Sequence, residues 1–304
     1  MQSNNKELYS GVIVPMVTPF TRDGKINTED ASSMICFLLE HCVIPFILGT
    51  SGEVYSISGE ERDALVKTLL DHKKKGLPLI TGMGGLTYED TIKKANQYFE
   101  WGMDAMVLTL PGYFGLSDDQ VYQYFSTLAE KLNGDIILYN IPVTIHNSIS
   151  LEVADRLSNI ENIIGIKDSE FDESRMTESL KLWSQREDFF YLVGVNEIMN
   201  KGLRLGAAGL VPSTANLAPE LYTRMMAAAG KGQFEEVDRL QKQTDTILAL
   251  YKNGHSLGES IATLKYLVSL SGMMSPFMHP PLTELSEDKK REAREKWDKI
   301  DKHW

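Results

Sequence analysis

Short apolar runs alternate with amphipathic helical patterns along most of this chain, and no other feature of the sequence restricts its fold as strongly. The alternation is typical of consecutive βαβ units, in which helices join parallel strands. Several runs, such as Ile136-Ile137-Leu138, are almost continuously apolar, as expected for strands covered on both faces. The pattern predicts eight strands: Val12–Val17, Ile44–Leu48, Leu79–Gly82, Ala105–Thr109, Ile136–Tyr139, Ile163–Lys167, Tyr191–Val193 and Gly209–Val211.

Eight such units in 304 residues fit a (β/α)8 TIM barrel, which takes about 250 residues. An open doubly wound sheet shows the same alternation, but its nucleotide-binding forms carry a glycine fingerprint after a strand. The nearest match begins at Gly82 and has Thr87 in place of the third glycine. We therefore predict an α/β fold of the (β/α)8 barrel type, with a tight turn rather than a phosphate-binding loop at Gly82.

Helix signals support this division of the chain. Ser58 with Glu61, and Ser117 with Gln120, have the spacing of a capping box at a helix start. After the eighth strand only helical patterns follow: Pro219–Ala229, Phe234–Lys252, Glu259–Ser271 and Ser286–Lys302. The first of these would be the eighth barrel helix. The sequence thus predicts a catalytic barrel over residues 1–230 and a C-terminal helical region over residues 231–304.

Composition excludes several classes of function. A formal net charge of −11 argues against a nucleic-acid binder, which needs a basic surface. The start of the chain shows no apolar signal core, and no apolar run approaches the roughly 20 residues of a membrane span. We expect a cytoplasmic protein. Cys36 and Cys42 fit neither a disulfide nor a metal motif and are predicted to be buried free thiols.

The active site of such a barrel lies at the carboxyl ends of the strands, so polar residues directly after apolar runs are the candidates. Lys167 ends the run Ile163-Ile164-Gly165-Ile166, whereas nearly all other lysines lie in polar contexts. A lysine in a barrel mouth loses hydration, which favours the neutral amine, a nucleophile toward carbonyl carbons. The alternative interpretation of this lysine is an ion pair with Asp168.

Two other strand ends carry groups that complement such an amine. Tyr139 ends the fifth strand and is suited to exchange a proton with the substrate oxygen, unless it is a tyrosine of the core. Thr50 and Ser51 follow the second strand between two glycines, so their hydroxyls and the backbone amides can hold a carboxylate, unless this is an ordinary turn. Together these groups predict a site for a small-molecule keto acid.

A metal-dependent aldolase would need histidines and carboxylates clustered at strand ends. None of the six histidines forms a close pair or an HExxH motif, and only His146 lies near a strand end. We therefore predict no metal site. No separate cofactor is expected either, because the lysine itself would supply the covalent chemistry.

Three motifs, in this order, resemble those of a known family: GTSGE at 49–53, YNIP at 139–142 and GIKDS at 165–169. With them the chain resembles, over almost its full length, the dihydrodipicolinate synthase and N-acetylneuraminate lyase superfamily of Schiff-base barrels. The resemblance implies an eight-stranded barrel followed by a C-terminal helical bundle. It implies that Lys167 forms the Schiff base and Tyr139 transfers the proton. Thr50 and Ser51 would hold the pyruvate carboxylate and assist the proton relay.

The resemblance also bears on assembly. Tyr113, in PGYF, matches a tyrosine that in family synthases reaches into the neighbouring subunit's site and completes the proton relay. This implies an oligomer, and the family is commonly a homotetramer built from two dimers. Ser169 and Val211, at the ends of the sixth and eighth strands, are further candidates for substrate binding.

Departures from the family pattern concern the substrate. Synthases of lysine biosynthesis usually carry an arginine two residues after the proline of YN-x-P, and Thr144 holds that position here. The segment Gly194–Glu197 is similar to the Gly-Tyr-Asp-Glu with which sialic-acid lyases bind substrate hydroxyls, and Ser213 lies where those lyases place a serine. Glu197 at a helix start and Ser213 in a turn are the alternative interpretations.

The sequence therefore predicts a pyruvate-dependent class I aldolase or lyase for a 2-keto-3-deoxy sugar acid or a sialic-acid-like substrate. Two alternatives keep the same Schiff base: a dehydratase, and a synthase that condenses pyruvate with aspartate semialdehyde. An alternative of another class is a keto-acid-binding regulator without turnover. The presence of Lys167 and Tyr139 argues against it, because a sensor needs no nucleophile.

Overall fold

Eight parallel strands close into one barrel in the computed structural model, which describes residues 5–302. Each strand pairs with the next along the chain, and the last pairs with the first. The predicted (β/α)8 barrel is confirmed. The strands are β1 (Gly11–Pro15), β2 (Ile44–Ile47), β3 (Ile80–Gly82), β4 (Ala105–Thr109), β5 (Asp135–Asn140), β6 (Ile163–Asp168), β7 (Phe190–Val193) and β8 (Gly209–Leu210).

Helices surround the barrel and continue beyond its last strand. Those that precede β8 are α1 (Asn5–Tyr9), α2 (Thr28–Glu40), α3 (Gly59–Leu70), α4 (Tyr88–Trp101), α5 (Asp118–Lys131), α6 (Pro142–Ile145), α7 (Leu151–Leu157), α8 (Glu173–Trp183) and α9 (Met199–Arg204). Those that follow it are α10 (Pro219–Gly230), α11 (Phe234–Lys252), α12 (Leu257–Ser269) and α13 (Glu287–Asp298). None of these described helices combines the length and the apolar character that a membrane crossing requires.

The strands are apolar because both of their faces are covered. All six residues of β6 are buried, and β5 is buried except at its first residue. The hydrophobic core continues from the barrel into α11 through Val237, Leu240 and Ile247. The barrel and α11 thus share one core.

The pairing of β5 with β6 contains an irregularity that matters for the site. Ile164 has no partner in the register, since its neighbours Ile163 and Gly165 pair with consecutive residues of β5. Beyond this bulge Tyr139 pairs with Lys167. Successive residues of a strand point to opposite faces, so a shift by one residue decides which side chains share a face. The bulge brings these two side chains together.

Helix starts follow the local sequence, with one tertiary exception. Ser117 and Gln120 form the predicted capping box at the start of α5. At α3, Ser58 accepts a hydrogen bond from the backbone amide of Glu61, as predicted. The Glu61 carboxylate, however, accepts a hydrogen bond of 2.6 Å from the backbone amide of Ile26. The second half of the predicted box at α3 is therefore wrong, because a partner distant in sequence competes for the carboxylate.

Other local predictions needed adjustment. The fourth strand, Ala105–Thr109, is confirmed to the residue, and the other strands differ from the predicted ones by one or two residues at one or both ends, since hydrophobic periodicity does not mark where pairing stops. The two cysteines are exposed rather than buried. Helix α2 buries a stripe of residues from Ala31 to Leu39, and Cys36 lies off that stripe, whereas Cys42 follows the helix at a positive φ of 54°.

Gly82 ends β3 at a point where another segment of backbone passes very close. A Cβ there would lie 2.2 Å from the carbonyl oxygen of Leu48, and backbone cannot move aside at little cost. We expect Gly82→Ala to lower the free energy of unfolding by roughly 1–3 kcal/mol, the usual cost of overpacking. Urea or thermal unfolding measures the change. Gly59→Ala is the matched control, because a Cβ at the first residue of α3 meets open space. Equal stability of the two variants would contradict the close approach.

Candidate active site

A cavity of about 580 Å³ opens at the carboxyl ends of the strands. Residues at strand ends form one part of its lining, and residues of α11, α12 and the segment between them form the opposite side, here called the helical wall. The candidates that the cavity brings together are Thr50, Ser51, Tyr139, Lys167, Ser169, Glu197, Val211 and Ser213. Of the predicted site residues, only Tyr113 lies outside this lining.

Lys167 lies deep in the barrel mouth, with 5% of its surface exposed. Its Nζ is 3.9 Å from the centre of the Tyr139 ring and 5.0 Å from that of Phe46. The predicted alternative, an ion pair with Asp168, is wrong, because Asp168 pairs with Arg175 at 2.7 Å. The amine is thus held between aromatic rings at the floor of the cavity.

A buried polar network fixes the ends of β5 and β6 behind this lysine. Asn140 donates to Asp168 and to Glu170, each at 2.9 Å. Arg175 donates through Nε to Asp168, and its second amino group donates to the carbonyl of Ile149 at 2.7 Å. The guanidinium is therefore committed to structural partners, and Arg175 does not line the cavity.

Tyr139 lies with its hydroxyl near Thr50 and its ring against Lys167. Its hydroxyl lies 3.5 Å from Oγ1 of Thr50, at the outer limit of a hydrogen bond, and such contacts often shorten when a substrate binds. Burial by itself would raise the pKa of the phenol, but the charge of Lys167 and hydrogen bonding to Thr50, Lys167 and Ser169 outweigh it. The pKa of Tyr139 is therefore lower than usual, which makes its proton easier to transfer.

The loop after β2 presents Thr50 and Ser51 to the cavity. A Cβ at Gly52 would lie 3.1 Å from the backbone nitrogen of Leu48 and from the carbonyl of Met16, so the tight path of the loop favours glycine. Thr18 donates to the carbonyl of Gly52 at 2.7 Å. These contacts hold the hydroxyl pair in place from the side that faces away from the cavity.

Directly after this loop lies a fully buried ion pair between Glu53 and Lys265. Nζ of Lys265, on α12, is 2.6 Å from Oε1 of Glu53, and neither side chain is exposed. Burial raises the pKa of the Glu53 carboxyl, with Lys265 opposing, and burial lowers the pKa of Lys265. Glu53 has a left-handed backbone with φ of 56° and donates its amide to the carbonyl of Thr50 at 3.1 Å. The C-terminal region is thereby connected to the loop that carries Thr50 and Ser51.

Glu197 and Ser213 face the helical wall. Glu197 accepts a hydrogen bond of 2.6 Å from Nζ of Lys252, the last residue of α11. The hydroxyl of Ser213 lies 2.8 Å from that of Tyr251, also on α11, and burial raises the pKa of Tyr251 to about 12. Both candidates line the cavity, and both also lie in the first turn of short 3-10 helices, as the alternative interpretation expects.

Tyr113 belongs to a projecting loop after β4. Its side chain is 90% exposed and contacts Phe114 edge to face, with 5.0 Å between ring centres. Asn147 holds the loop, because it donates to the carbonyls of Pro111 and Phe114 and accepts from the amide of Leu116. Within one chain this tyrosine does not take part in the cavity.

Thr144 lies on the cavity wall, in the short helix α6. Its hydroxyl donates to the carbonyl of Ile141 at 3.3 Å. No arginine lines the cavity within residues 5–302. The arginine that synthases usually carry at the position of Thr144 is therefore not replaced by another arginine on this lining.

Sequence reasoning missed several residues that line the cavity. Glu170 and Phe171 follow β6 directly and were within reach of the strand-end argument, whereas Tyr251, Lys252 and His255 belong to the helical wall. Nothing local in α11 distinguishes its last turn from an ordinary amphipathic helix end. The described part of the chain shows no group of three or more histidines, cysteines or carboxylates that could hold a metal ion.

A (β/α)8 barrel with a buried strand-end lysine, a tyrosine beside it and a hydroxyl pair opposite has the make-up of the class I, aldolase-type lyases. The model of the dihydrodipicolinate synthetase family matches residues 8–299. The chain belongs to this family, whose members are lyases that form a Schiff base with pyruvate and require no external cofactor.

Individual relatives agree with this family assignment. A 4-hydroxy-tetrahydrodipicolinate synthase of Alkalilimnicola ehrlichii is 30% identical over 95% of this chain and 97% of its own length. An uncharacterized DapA-like lyase of Pyrococcus horikoshii is 31% identical over 89% of this chain and 93% of its own. The structure of a dihydrodipicolinate synthase from Bacteroides thetaiotaomicron superposes with a TM-score of 0.90 at 28% identity, covering 95% and 98% of the two chains.

The position of Tyr139 leads to a prediction for its hydroxyl. Tyr139→Phe keeps the ring against Lys167 and removes only the proton-transfer group, so we expect turnover to fall by roughly 10²-fold or more. Steady-state kinetics with any substrate that is turned over measures the loss. Tyr122→Phe, on α5 and outside the cavity lining, is the control and should leave the rate unchanged. A Tyr139→Phe enzyme with full activity would reduce this residue to a packing role.

Proposed function

We propose that this protein is a pyruvate-dependent aldolase that acts on a 2-keto-3-deoxy sugar acid or a sialic-acid-like substrate through a Schiff base on Lys167. The observation that carries the proposal is one cavity with two unlike parts. The groups suited to a keto acid, such as Lys167 and Tyr139, lie at the strand ends. Other polar side chains, including Glu197, Ser213 and Lys252, lie toward the helical wall. Such groups suit the hydroxyls of a sugar acid.

The reaction follows from the positions of the groups. The neutral amine of Lys167 attacks the keto carbon, and loss of water gives an iminium. Thr50 and Ser51 donate to the carboxylate. In the cleavage direction Tyr139 removes the proton from the hydroxyl on the carbon beyond the breaking bond. The oxygen electrons form the carbonyl of the departing aldehyde, and the electrons of the breaking bond move into the iminium and form an enamine. Protonation of the enamine carbon and hydrolysis by water then release pyruvate and free Lys167.

A second candidate is the synthase reaction, in which pyruvate condenses with aspartate semialdehyde. The name of the relative from Alkalilimnicola ehrlichii favours it. Thr144 and the lack of any arginine on the described lining count against it, because a threonine hydroxyl cannot replace a bidentate charged bond to the semialdehyde carboxylate. A dehydratase would use the same Schiff base. A regulator without turnover is the candidate of another class and would bind pyruvate without releasing product.

Assembly and location complete the proposal. The exposed Tyr113 and Phe114, on a loop that Asn147 holds firmly, favour a second copy of this chain as partner, so that Tyr113 completes the proton relay of a neighbouring site. A homotetramer built from two such dimers is the assembly we propose. A cytoplasmic location suits two exposed free cysteines, which stay reduced there.

A comparison of substrates tests the activity. One preparation is assayed for cleavage of 2-keto-3-deoxygluconate, cleavage of sialic acid, and condensation of pyruvate with aspartate semialdehyde. We expect at least one cleavage to exceed the condensation in kcat/KM by roughly tenfold or more, the effect of losing a charged hydrogen bond to the semialdehyde. Lys167→Arg is the control, since a guanidinium is not a usable nucleophile, and it should abolish turnover and the borohydride-trapped pyruvate adduct.

A faster semialdehyde condensation would replace the proposed activity with the synthase reaction. A trapped adduct with no turnover of any keto acid or aldehyde would favour the regulator. An adduct that forms in Lys167→Arg would place the Schiff base elsewhere.

Subunit mixing tests the role of Tyr113. Tyr113→Phe and Lys167→Ala should each be nearly inactive alone. If Tyr113 serves the neighbouring site, a mixed dimer contains one complete site, and equal co-expression should restore roughly a quarter of the wild-type activity, because half of the dimers are mixed. Purification through two different tags isolates the hybrids. Failure of the hybrids to regain activity would show that Tyr113 does not act across subunits.

A further inference from the structure

The barrel and the C-terminal helices meet at the cavity in one ion pair. Lys252 at the end of α11 donates to Glu197 at 2.6 Å, and Glu197 lies in the short 3-10 turn after β7. Both side chains line the cavity and stay partly open to solvent, 49% exposed for Lys252 and 37% for Glu197. The pair therefore faces the part of a substrate that extends from the strand ends toward α11.

The charged groups of the lining leave no cation free for a second anion. Besides Lys167, Lys252 is the only lysine or arginine on this lining within residues 5–302, and Glu197 neutralises it. The other carboxylate, Glu170, is held by hydrogen bonds and lies 3.6 Å from Arg175. A phosphate or carboxylate at the far end of the substrate would have to displace Glu197 from Lys252 or lie beside the Glu197 carboxylate. In the second case the repulsion between the two negative charges opposes binding.

A neutral hydroxylated group meets no such obstacle. The ammonium of Lys252 keeps its remaining N–H donors, and the carboxylate of Glu197 keeps free acceptor positions. Ser213 adds a hydroxyl that Tyr251 holds at 2.8 Å. A sugar hydroxyl both donates and accepts, so adjacent hydroxyls can bind an ammonium and a carboxylate at once.

We propose that the Glu197–Lys252 ion pair forms a subsite for an uncharged, hydroxylated end of the substrate and selects against substrates that carry a second negative charge there. Lys252, from the C-terminal region, thereby becomes a determinant of specificity. The inference rests on the proposed aldolase function and deepens it. It separates plain sugar acids from their phosphorylated forms and from a semialdehyde with a second carboxylate.

Two acceptor aldehydes of the same carbon skeleton test the subsite in the condensation direction with pyruvate: D-glyceraldehyde and D-glyceraldehyde 3-phosphate. All variants are assayed at one fixed pH of about 8. The wild type should prefer glyceraldehyde. Glu197→Gln retains an acceptor oxygen but frees the charge of Lys252, and should shift the kcat/KM ratio toward the phosphate by roughly tenfold or more.

A variant of Lys252 and a variant of a second, comparable ion pair serve as further tests. Lys252→Met should raise the KM for glyceraldehyde with less effect on kcat, and should bring no gain with the phosphate. Glu173→Gln is the control, because Glu173 pairs with Lys201 at the same distance of 2.6 Å, with side chains 53% and 49% exposed, but outside the cavity lining. The ratio of kcat/KM values for the two aldehydes in Glu173→Gln should equal that of the wild type.

The borohydride-trapped pyruvate adduct is followed by intact mass in every variant. It separates a failure of the proposed aldolase function from a failure of the subsite. Without an adduct in the wild type, the proposed function fails, and the subsite with it. If the adduct forms, three results refute the subsite alone. The wild-type enzyme prefers the phosphate, it accepts neither aldehyde, or Glu197→Gln and Glu173→Gln change the kcat/KM ratio equally.

Discussion

The pairing of β5 with β6 is the constraint on which the rest of the site depends. Parallel pairing puts the side chains of Tyr139 and Lys167 on the same face only because β6 carries one extra residue at Ile164. Behind the strand ends, Arg175 and Asn140 satisfy the buried carboxylate of Asp168. The acid with which Lys167 might have paired is therefore occupied elsewhere, and the amine remains beside the phenol. The strand register and the hydrogen bonds of Asp168 together leave the amine of Lys167 beside the Tyr139 ring.

The C-terminal helices contact the barrel end that holds the cavity at two depths. At the deeper one, Lys265 pairs with Glu53 out of contact with water, directly after the loop that presents Thr50 and Ser51. Desolvation offsets much of the attraction in a buried ion pair, whereas removal of one partner would leave an unpaired buried charge at a cost of about 3–5 kcal/mol. At the shallower one, Lys252 meets Glu197 at the cavity. The first contact adjoins the loop that carries the hydroxyl pair, and the second lies where we propose that the substrate is selected.

In the proposed reaction, chemistry and specificity lie on different parts of the chain. The strand ends hold the groups that would act on the keto acid, while the wall that would meet the rest of the substrate comes largely from loops and from α11 and α12. Barrels commonly retain strand-end chemistry and vary the surrounding segments. Membership in this family therefore establishes a Schiff-base lyase, and in the proposed function the choice of aldehyde or sugar acid depends on a few side chains such as Thr144 and Lys252.

The sequence alone determined the barrel and the order of its strands, because buried parallel strands and amphipathic helices leave distinct periodicities. It also determined the strand-end candidates Lys167, Tyr139, Thr50 and Ser51, because any barrel brings such positions to one rim.

Only the tertiary structure decided that Asp168 pairs with Arg175, that Glu53 pairs with Lys265, and that the last turn of α11 faces the cavity. Each of these contacts joins segments whose meeting depends on how helices pack around the closed barrel. Local patterns of charge and hydrophobicity carry no record of that packing.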